Sequence, residues 1–160
     1  MTCVAVTGAS GYVGRFIVNN LLAGGHQVIV LGRKAPNLED FAESVEFRQF
    51  SLDDSSISHA LFNDVHALVH VAFHHEAGKY RGGEGDDPDG FIKRNLNGTN
   101  TLFETAKTAG VKRTLFLSSR AVYGQQEPGA TLFEDTPPKP DTLYGKTKLQ
   151  AEDALATLAD

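Results

Sequence analysis

Apolar positions along the chain follow two different spacings. Some runs are continuously apolar, such as VIVL at 28–31, which indicates strands that are covered on both faces. Other segments repeat apolar residues at helical spacing, as over 12–23, and the pair Gly24–Gly25 predicts where that helix ends. Strands are predicted over 2–8, 26–32, 45–50, 66–73 and 112–119. Longer helices are predicted over 12–23 and 91–109 and from about residue 143. A helical turn is predicted over 37–42, and a short helix from Asp54 or Ser55 to Phe62. A Gly- and Asp-rich loop is predicted over 74–90.

The alternation of strands with helices predicts an α/β fold. Each strand–helix–strand unit makes a right-handed crossover, and a series of such units builds a parallel sheet. The expected architecture is one domain over residues 1–160, a Rossmann-like doubly wound parallel sheet with strand order 3-2-1-4-5. Cys3 falls in the first strand, where we expect it to be buried and inert.

Composition narrows the possible partners. The net charge is −5 and the sequence has no Lys/Arg cluster, so nucleic acid is not an expected partner. The apolar runs are too short to span a bilayer, and the N-terminus lacks a signal-peptide pattern. The sequence has a single cysteine and therefore no internal disulfide. Together these features favour a cytoplasmic protein. His66, His70 and His74 would lie about 13 Å apart in succession along a strand, so no metal site is expected.

A glycine motif follows the first predicted strand. TGASGYVG at 7–14 spaces Gly8, Gly11 and Gly14 three residues apart. The spacing alone is weak evidence, but here it ends a strand and opens a helix, where glycines allow the backbone to approach a pyrophosphate at the helix N-terminus. The motif predicts a dinucleotide-binding loop; the alternative is an ordinary strand-to-helix turn.

A tyrosine and a lysine stand four residues apart in YGKTK at 144–148. On a helix they share one face, so the Tyr144 hydroxyl and the Lys148 ammonium can converge. A free tyrosine has a pKa near ~10 and is a poor base at neutral pH, but nearby positive charge favours the phenolate. The pair therefore predicts acid–base chemistry on a hydroxyl or carbonyl group; the alternative is a surface tyrosine beside solvated lysines.

These motifs together resemble the extended branch of the short-chain dehydrogenase/reductase superfamily, the NAD(P)-dependent epimerase/dehydratase family. The similar segments are, in family order, TGASGYVG, LVHVA at 68–72, NLNGT at 95–99, LSSRAVYG at 117–124 and EDTPPKPDTLYGKTKLQAE at 134–152. The resemblance implies hydride transfer with Ser119, Tyr144 and Lys148 as catalytic residues, and a nucleotide sugar or related hydroxy or carbonyl compound as substrate. It also implies a set of cofactor-binding residues: Gly8, Ser10, Gly11, Tyr12, Val13, Gly14, Arg33, Ser51, Leu52, Val71, Ala72, Phe73, Asn95, Tyr144 and Lys148.

The end of the second strand bears on the choice of cofactor. NAD-dependent relatives usually carry an acidic residue where this chain has Gly32, and Arg33 and Lys34 follow. Without a carboxylate to repel a 2′-phosphate, and with two cations to pair with it, NADP is favoured over NAD. The alternative is that Arg33 lies on the adenine of NAD or points to solvent. After the third strand, Ser51 and Leu52 occupy the adenine-contacting position, with Asp53 or Asp54 as substitutes.

The resemblance also carries expectations about the whole protein. Relatives continue beyond the YxxxK helix with strands six and seven and a C-terminal lobe that binds substrate, so we expect the 160 residues to be the N-terminal cofactor-binding part of a longer enzyme, with little turnover of their own. Relatives also pair the helices at 91–109 and 143–158 across a two-fold axis, which implies a homodimer. The alternative function is a non-catalytic regulatory or sensor module that binds a dinucleotide.

Overall fold

The structure is a computed structural model, and it describes residues 2–75 and 85–159. Most of the loop predicted over 74–90 therefore lies outside the described residues. The chain divides into two compact units: the first comprises the residues up to Phe73 together with Thr101–Leu117, and the second comprises His74–Asn100 and the residues from Ser118 onward. No helix within the described ranges is long and apolar enough to cross a membrane.

The first unit contains a five-stranded parallel sheet. Its strands are β1 (Cys3–Thr7), β2 (Gln27–Gly32), β3 (Glu46–Gln49), β4 (Ala67–His70) and β5 (Arg113–Phe116). They lie in the order β3-β2-β1-β4-β5, and every neighbouring pair is parallel. The predicted fold class and strand order are confirmed.

Helix α1 (Tyr12–Ala23) covers one face of this sheet. Val18 and Leu22 of α1 are buried against Val4 and Val28 of the two central strands. Burying a valine or leucine side chain contributes about 1.5–3 kcal/mol relative to leaving it exposed, so this layer fixes the position of α1. The helix ends as predicted, since Gly25 has φ +75° and the Gly25 N–H donates to the Leu22 carbonyl.

The strands β4 and β5 are shorter than predicted. Beyond His70, the N–H groups of Val71 and Ala72 donate to the Thr7 hydroxyl oxygen at 3.0 and 3.1 Å, so this backbone is bonded to a side chain and no longer to a neighbouring strand. The strand β5 ends at Phe116, and the Leu117 N–H donates to the His70 carbonyl. In both segments, apolar residues therefore continue beyond the last residue of the strand.

His70 lies in the core of the first unit, as expected for a histidine packed in the sheet. It is fully buried, its Nδ1 lies 2.6 Å from the Thr7 hydroxyl oxygen, and its ring stacks on Phe116 and meets Phe103 edge-on. Cys3 is buried too, and burial raises the pKa of its thiol, which agrees with the expected inert role.

The segment before β4 corrects one prediction. Residues 54–62 do not form a helix capped by Asp54 or Ser55. The cap is Ser58, whose hydroxyl oxygen accepts from the Ala60 N–H, and only a 3₁₀ turn (His59–Phe62) follows. Asp54 instead accepts from the Ser51 N–H at 3.0 Å, which closes a turn upstream. The helical turn predicted over 37–42 is a 3₁₀ turn at Leu38–Asp40.

The predicted helix over 91–109 begins earlier and is not uniform. It consists of α2 (Pro88–Ile92), a π-helical turn (Lys93–Asn97) and α3 (Gly98–Thr108). The start moves to Pro88 because the Asp87 carboxylate accepts from the Gly90 N–H at 2.9 Å and proline suits the first helical position. The last helix, α4 (Leu143–Ala159), begins where it was predicted.

Candidate functional site

The glycine loop of the first unit is built by close backbone contacts. Gly8 has φ +68°, and a Cβ there would lie 2.7 Å from the Ala72 nitrogen. A Cβ at Gly14 would collide with the Gly8 carbonyl oxygen and lie 2.7 Å from its carbonyl carbon. The Gly11 N–H donates to the Gly8 carbonyl at 3.0 Å and closes the turn. The loop therefore needs glycine at 8 and 14 and packs against the backbone that follows β4, which is half-buried at Val71, Ala72 and Phe73.

The N-terminus of α1 is suited to an anion. Gly11 is its N-cap, its first turn carries no acidic residue, and no side chain of the described residues caps it. Ser10, Gly11, Tyr12 and Val13 are all exposed. The positive end of the helix dipole and its unpaired N–H groups thus face outward, an arrangement that fits the pyrophosphate of a dinucleotide.

The end of β2 presents two exposed cations. Arg33 and Lys34 directly follow Gly32, and a Cβ at Gly32 would meet only ordinary contacts at 3.6 Å or more, so the backbone there does not itself require glycine. After β3, the Ser51 hydroxyl donates to Asp53 at 3.3 Å and Leu52 is half-buried. Contact of Ser51 and Leu52 with an adenine stays a prediction.

Asn95 lies in the π-helical turn of the second unit and is 2% exposed. Its Oδ1 accepts from the His74 N–H at 2.7 Å, and its Nδ2 donates to the His74 carbonyl at 3.1 Å. The Asn95 amide is therefore hydrogen-bonded to both the N–H and the carbonyl of His74. This contact gives Asn95 a supporting role at His74, whereas its contact with a cofactor stays a prediction.

Tyr144 and Lys148 lie one turn apart on α4, as the spacing predicted. Tyr144 is half-buried, and Lys148 is 4% exposed. Burial lowers the pKa of Lys148 to about 8, while the Glu152 carboxylate on the next turn opposes this shift. The lysine of this pair is thus not a solvated surface residue.

Ser119 is held close to this helix. It is the N-cap of a 3₁₀ turn (Arg120–Tyr123), and its Oγ accepts from the Ala121 N–H at 3.2 Å, which leaves its proton for donation elsewhere. A Cβ at Gly145 would collide with the Ala121 carbonyl oxygen, so the glycine in YGKTK allows α4 to pack directly on this turn. The structure thus packs α4, the helix that carries Tyr144 and Lys148, on the turn that Ser119 caps. Catalytic roles for these three residues stay a prediction.

Two features of the second unit were not predicted from the sequence. The Ser118 hydroxyl donates to the Glu152 carboxylate, 34 residues away. The Thr147 hydroxyl is buried and has no hydrogen-bond partner in the described part of the chain. Glu152 closes the family signature at 134–152, which is the one sequence signal that could have drawn attention to it. No group of three or more His, Cys, Asp and Glu that could hold a metal ion occurs among the described residues.

The family profile described as NAD dependent epimerase/dehydratase family matches residues 4–160. The chain belongs to this family. It is 32% identical over 163 residues to UDP-glucose 4-epimerase 2 of Oryza sativa subsp. japonica, covering 94% of this chain and 39% of that protein. It is 30% identical over 165 residues to UDP-glucose 4-epimerase of Bacillus subtilis strain 168, covering 97% and 47%.

Solved structures of this family resemble the chain as well. UDP-glucose 4-epimerase of Thermus thermophilus in complex with NAD superposes with TM-score 0.83 at 29% identity, over 98% of this chain and 50% of that one. MoeE5 in complex with UDP-glucose and NAD superposes with TM-score 0.81 at 28% identity, over 98% and 48%. The chain thus spans half or less of the length of these relatives. Both structures contain NAD, which gives no support to a preference for NADP.

Proposed function

We propose that the chain is the dinucleotide-binding part of an NAD(P)-dependent epimerase, dehydratase or reductase that acts on a nucleotide sugar or a related hydroxy or carbonyl compound. The observation that carries the proposal is the group in the second unit, where a buried Lys148 lies one turn from Tyr144 on a helix packed against the Ser119 turn. Membership of the family and its resemblance to UDP-glucose 4-epimerases support the choice of substrate class.

The proposed chemistry assigns one task to each side chain. A bound nicotinamide would accept a hydride from a substrate carbon and return it. Tyr144 would take the proton from the hydroxyl on that carbon, and the Lys148 cation would favour the phenolate while it does so. The Ser119 hydroxyl would donate to the same substrate oxygen, since it only accepts in its bond with the Ala121 N–H and keeps its proton. In the reverse direction Tyr144 would return the proton.

The test of this chemistry is turnover with a matched tyrosine control. Purified protein, both the 160-residue chain and a longer product of the same reading frame, would be incubated with NAD or NADP and UDP-glucose, and interconversion of the sugar would be followed by chromatography. We expect Tyr144→Phe to lose about a hundredfold or more in rate, as removal of a general acid–base group does. Tyr123→Phe, which removes a tyrosine hydroxyl from the 3₁₀ turn that Ser119 caps, should leave the rate unchanged. Little turnover is expected from the 160 residues alone. Full activity of Tyr144→Phe in the longer product would refute the mechanism, and dinucleotide binding by the longer product without any turnover would favour a sensor module.

A preference for NADP over NAD is a separate proposal, which depends on three residues at the end of β2. Gly32 leaves no carboxylate at the end of β2, and the exposed Arg33 and Lys34 could pair with a 2′-phosphate, so we propose that NADP binds more tightly. In titration calorimetry, Arg33→Ala should weaken NADP more than NAD, and Gly32→Asp, which the backbone can accommodate, should reverse the preference. Equal weakening of both cofactors by Arg33→Ala would refute this assignment.

A further inference from the structure

A hydrogen bond between Ser118 and Glu152 connects α4 to the residue that precedes Ser119. Ser118 immediately precedes Ser119, the cap of the 3₁₀ turn, and its hydroxyl donates to the Glu152 carboxylate. Both side chains are half-buried, which favours a well-defined hydrogen bond over a solvent-exposed one. One bond thus ties the residue next to Ser119 to the third turn of α4.

Helix α4 contacts the segment 118–121 at two points, of which the Ser118–Glu152 bond is the second. Gly145, Lys148 and Glu152 are three and then four residues apart, so they lie along one face of the helix. At one end of that face the Gly145 backbone packs on Ala121, and at the other end Glu152 accepts from Ser118. Lys148 lies between these two attachments, and it is the most buried charged side chain of the group.

The Glu152 carboxylate, one turn beyond Lys148 on α4, opposes the effect of burial on this lysine. Burial disfavours the ammonium form and lowers the pKa of Lys148, and the Glu152 carboxylate acts in the opposite direction. Tyr144 lies one turn before Lys148 on the same helix. His75 is also near, since desolvation and then the Lys148 cation lower the pKa of its imidazole. An imidazole is neutral or positive, so His75 does not compensate the lysine charge. Glu152 is thus a carboxylate on the same helix face that supports a charged Lys148.

We propose that Glu152, oriented by Ser118, is a positioning residue that keeps the Lys148 side chain protonated and fixed on the face of α4 that carries the acid–base chemistry. This inference rests on the proposed roles of Tyr144 and Lys148. Ser118 acts only through Glu152, and Glu152 acts only through Lys148. Neither residue needs to touch substrate.

The first test measures Lys148 directly and needs no activity. The protein is labelled with ¹⁵N-lysine, the Lys148 ammonium signal is identified by its loss in Lys148→Met, and its titration is followed by NMR. In Glu152→Gln, which keeps the shape of the side chain, the titration midpoint should move to lower pH by about one unit, the low end of the effect of a nearby opposite charge. Asp153→Asn removes the same charge from the exposed neighbouring position and should leave the midpoint in place. Equal shifts in the two variants, or none in Glu152→Gln, would overturn the proposal.

The second test asks whether Ser118 works through Glu152. Ser118→Ala should shift the Lys148 midpoint in the same direction but less, and the double variant Ser118→Ala/Glu152→Gln should match Glu152→Gln alone. A larger shift in the double variant would mean that the two residues act independently, which contradicts the proposal. Where turnover is measurable, the alkaline limb of the pH–rate profile should move with the Lys148 midpoint in each variant. If no variant turns over substrate while the titrations behave as expected, the proposed function fails and the positioning role stands.

Discussion

Gly14 has no room for a side chain, because a Cβ there would overlap the Gly8 carbonyl group. The obstacle is backbone, which cannot rotate away as a flexible side chain can. We therefore expect Gly14→Ala to lower the free energy of unfolding by about 1–3 kcal/mol, the usual cost of overpacking. Urea unfolding would measure it. The control is Gly32→Ala, whose Cβ would make only ordinary contacts; a similar loss in both variants would contradict the packing argument.

Lys148 should make stability depend on pH in a distinctive way. Its pKa is about 8 in the folded chain, and an unfolded lysine titrates near ~10.4, so between these values the unfolded chain binds more protons. The free energy of unfolding should therefore rise with pH across this range, by on the order of 3 kcal/mol from Lys148 alone.

The measurement is the difference between the wild-type chain and Lys148→Met in urea unfolding from about pH 7 to about pH 10.5, a range that brackets both titrations. Other groups that titrate in this range, including the buried Cys3 with its raised pKa, contribute equally to both proteins and cancel. The variant should be the more stable protein near neutral pH, and the gap should close as the pH rises. A constant difference would show that Lys148 does not lose its charge more easily in the folded state.

At the scale of elements, the π-helical turn at Lys93–Asn97 carries the most specific contact. It places Asn95 so that its amide pairs with the N–H and the carbonyl of His74 at once. Asn95→Leu keeps a similar volume but leaves two backbone groups without these partners, so we expect a loss of about 2–3 kcal/mol in the free energy of unfolding. Asn100→Ala is the control, since the Asn100 Oδ1 is buried without a partner among the described residues. A loss of equal size in the control would argue against the bidentate contact as the cause.

The elements also show which sequence signals are sufficient for prediction. The limits of α1 were predictable because local signals, the glycine loop and Gly24–Gly25, determine both ends. The end of β4 was not, because the residues up to Phe73 remain apolar while the Thr7 hydroxyl, 64 residues away from Val71, takes over their N–H groups. The Asn95–His74 contact and the Ser118–Glu152 bond likewise join residues that are distant in sequence.

The candidate site divides in the same way. The glycine motif and YGKTK could be found because each is a local pattern with a fixed spacing. The burial of Lys148 could not, since it arises from packing around α4 that no spacing along the chain describes. The reason for Gly145 became clear only from its contact with Ala121.

At the scale of the whole molecule, association through the helices at 91–109 and 143–158 remains a prediction. In an isologous contact both subunits contribute the same surface, so one substitution changes the interface at two symmetric positions. In sedimentation at micromolar concentration we expect a dimer, and Ala156→Arg, at an exposed position on α4, should shift it toward monomer. Asn20→Arg, exposed on α1, should not. A monomeric wild-type chain would contradict the prediction.

The Thr7 hydroxyl determines where one proton sits in the core. A threonine oxygen has two lone pairs and a single proton. Both lone pairs accept N–H bonds from Val71 and Ala72, so the proton must be donated to His70 Nδ1. That nitrogen is then an acceptor, and the imidazole carries its hydrogen on Nε2. The fold thereby selects one of two imidazole tautomers that are close in energy in water. We expect ¹⁵N NMR of labelled histidine to find His70 in the Nε2–H form. In Thr7→Val, which lacks the hydroxyl, His70 should no longer be restricted to that tautomer.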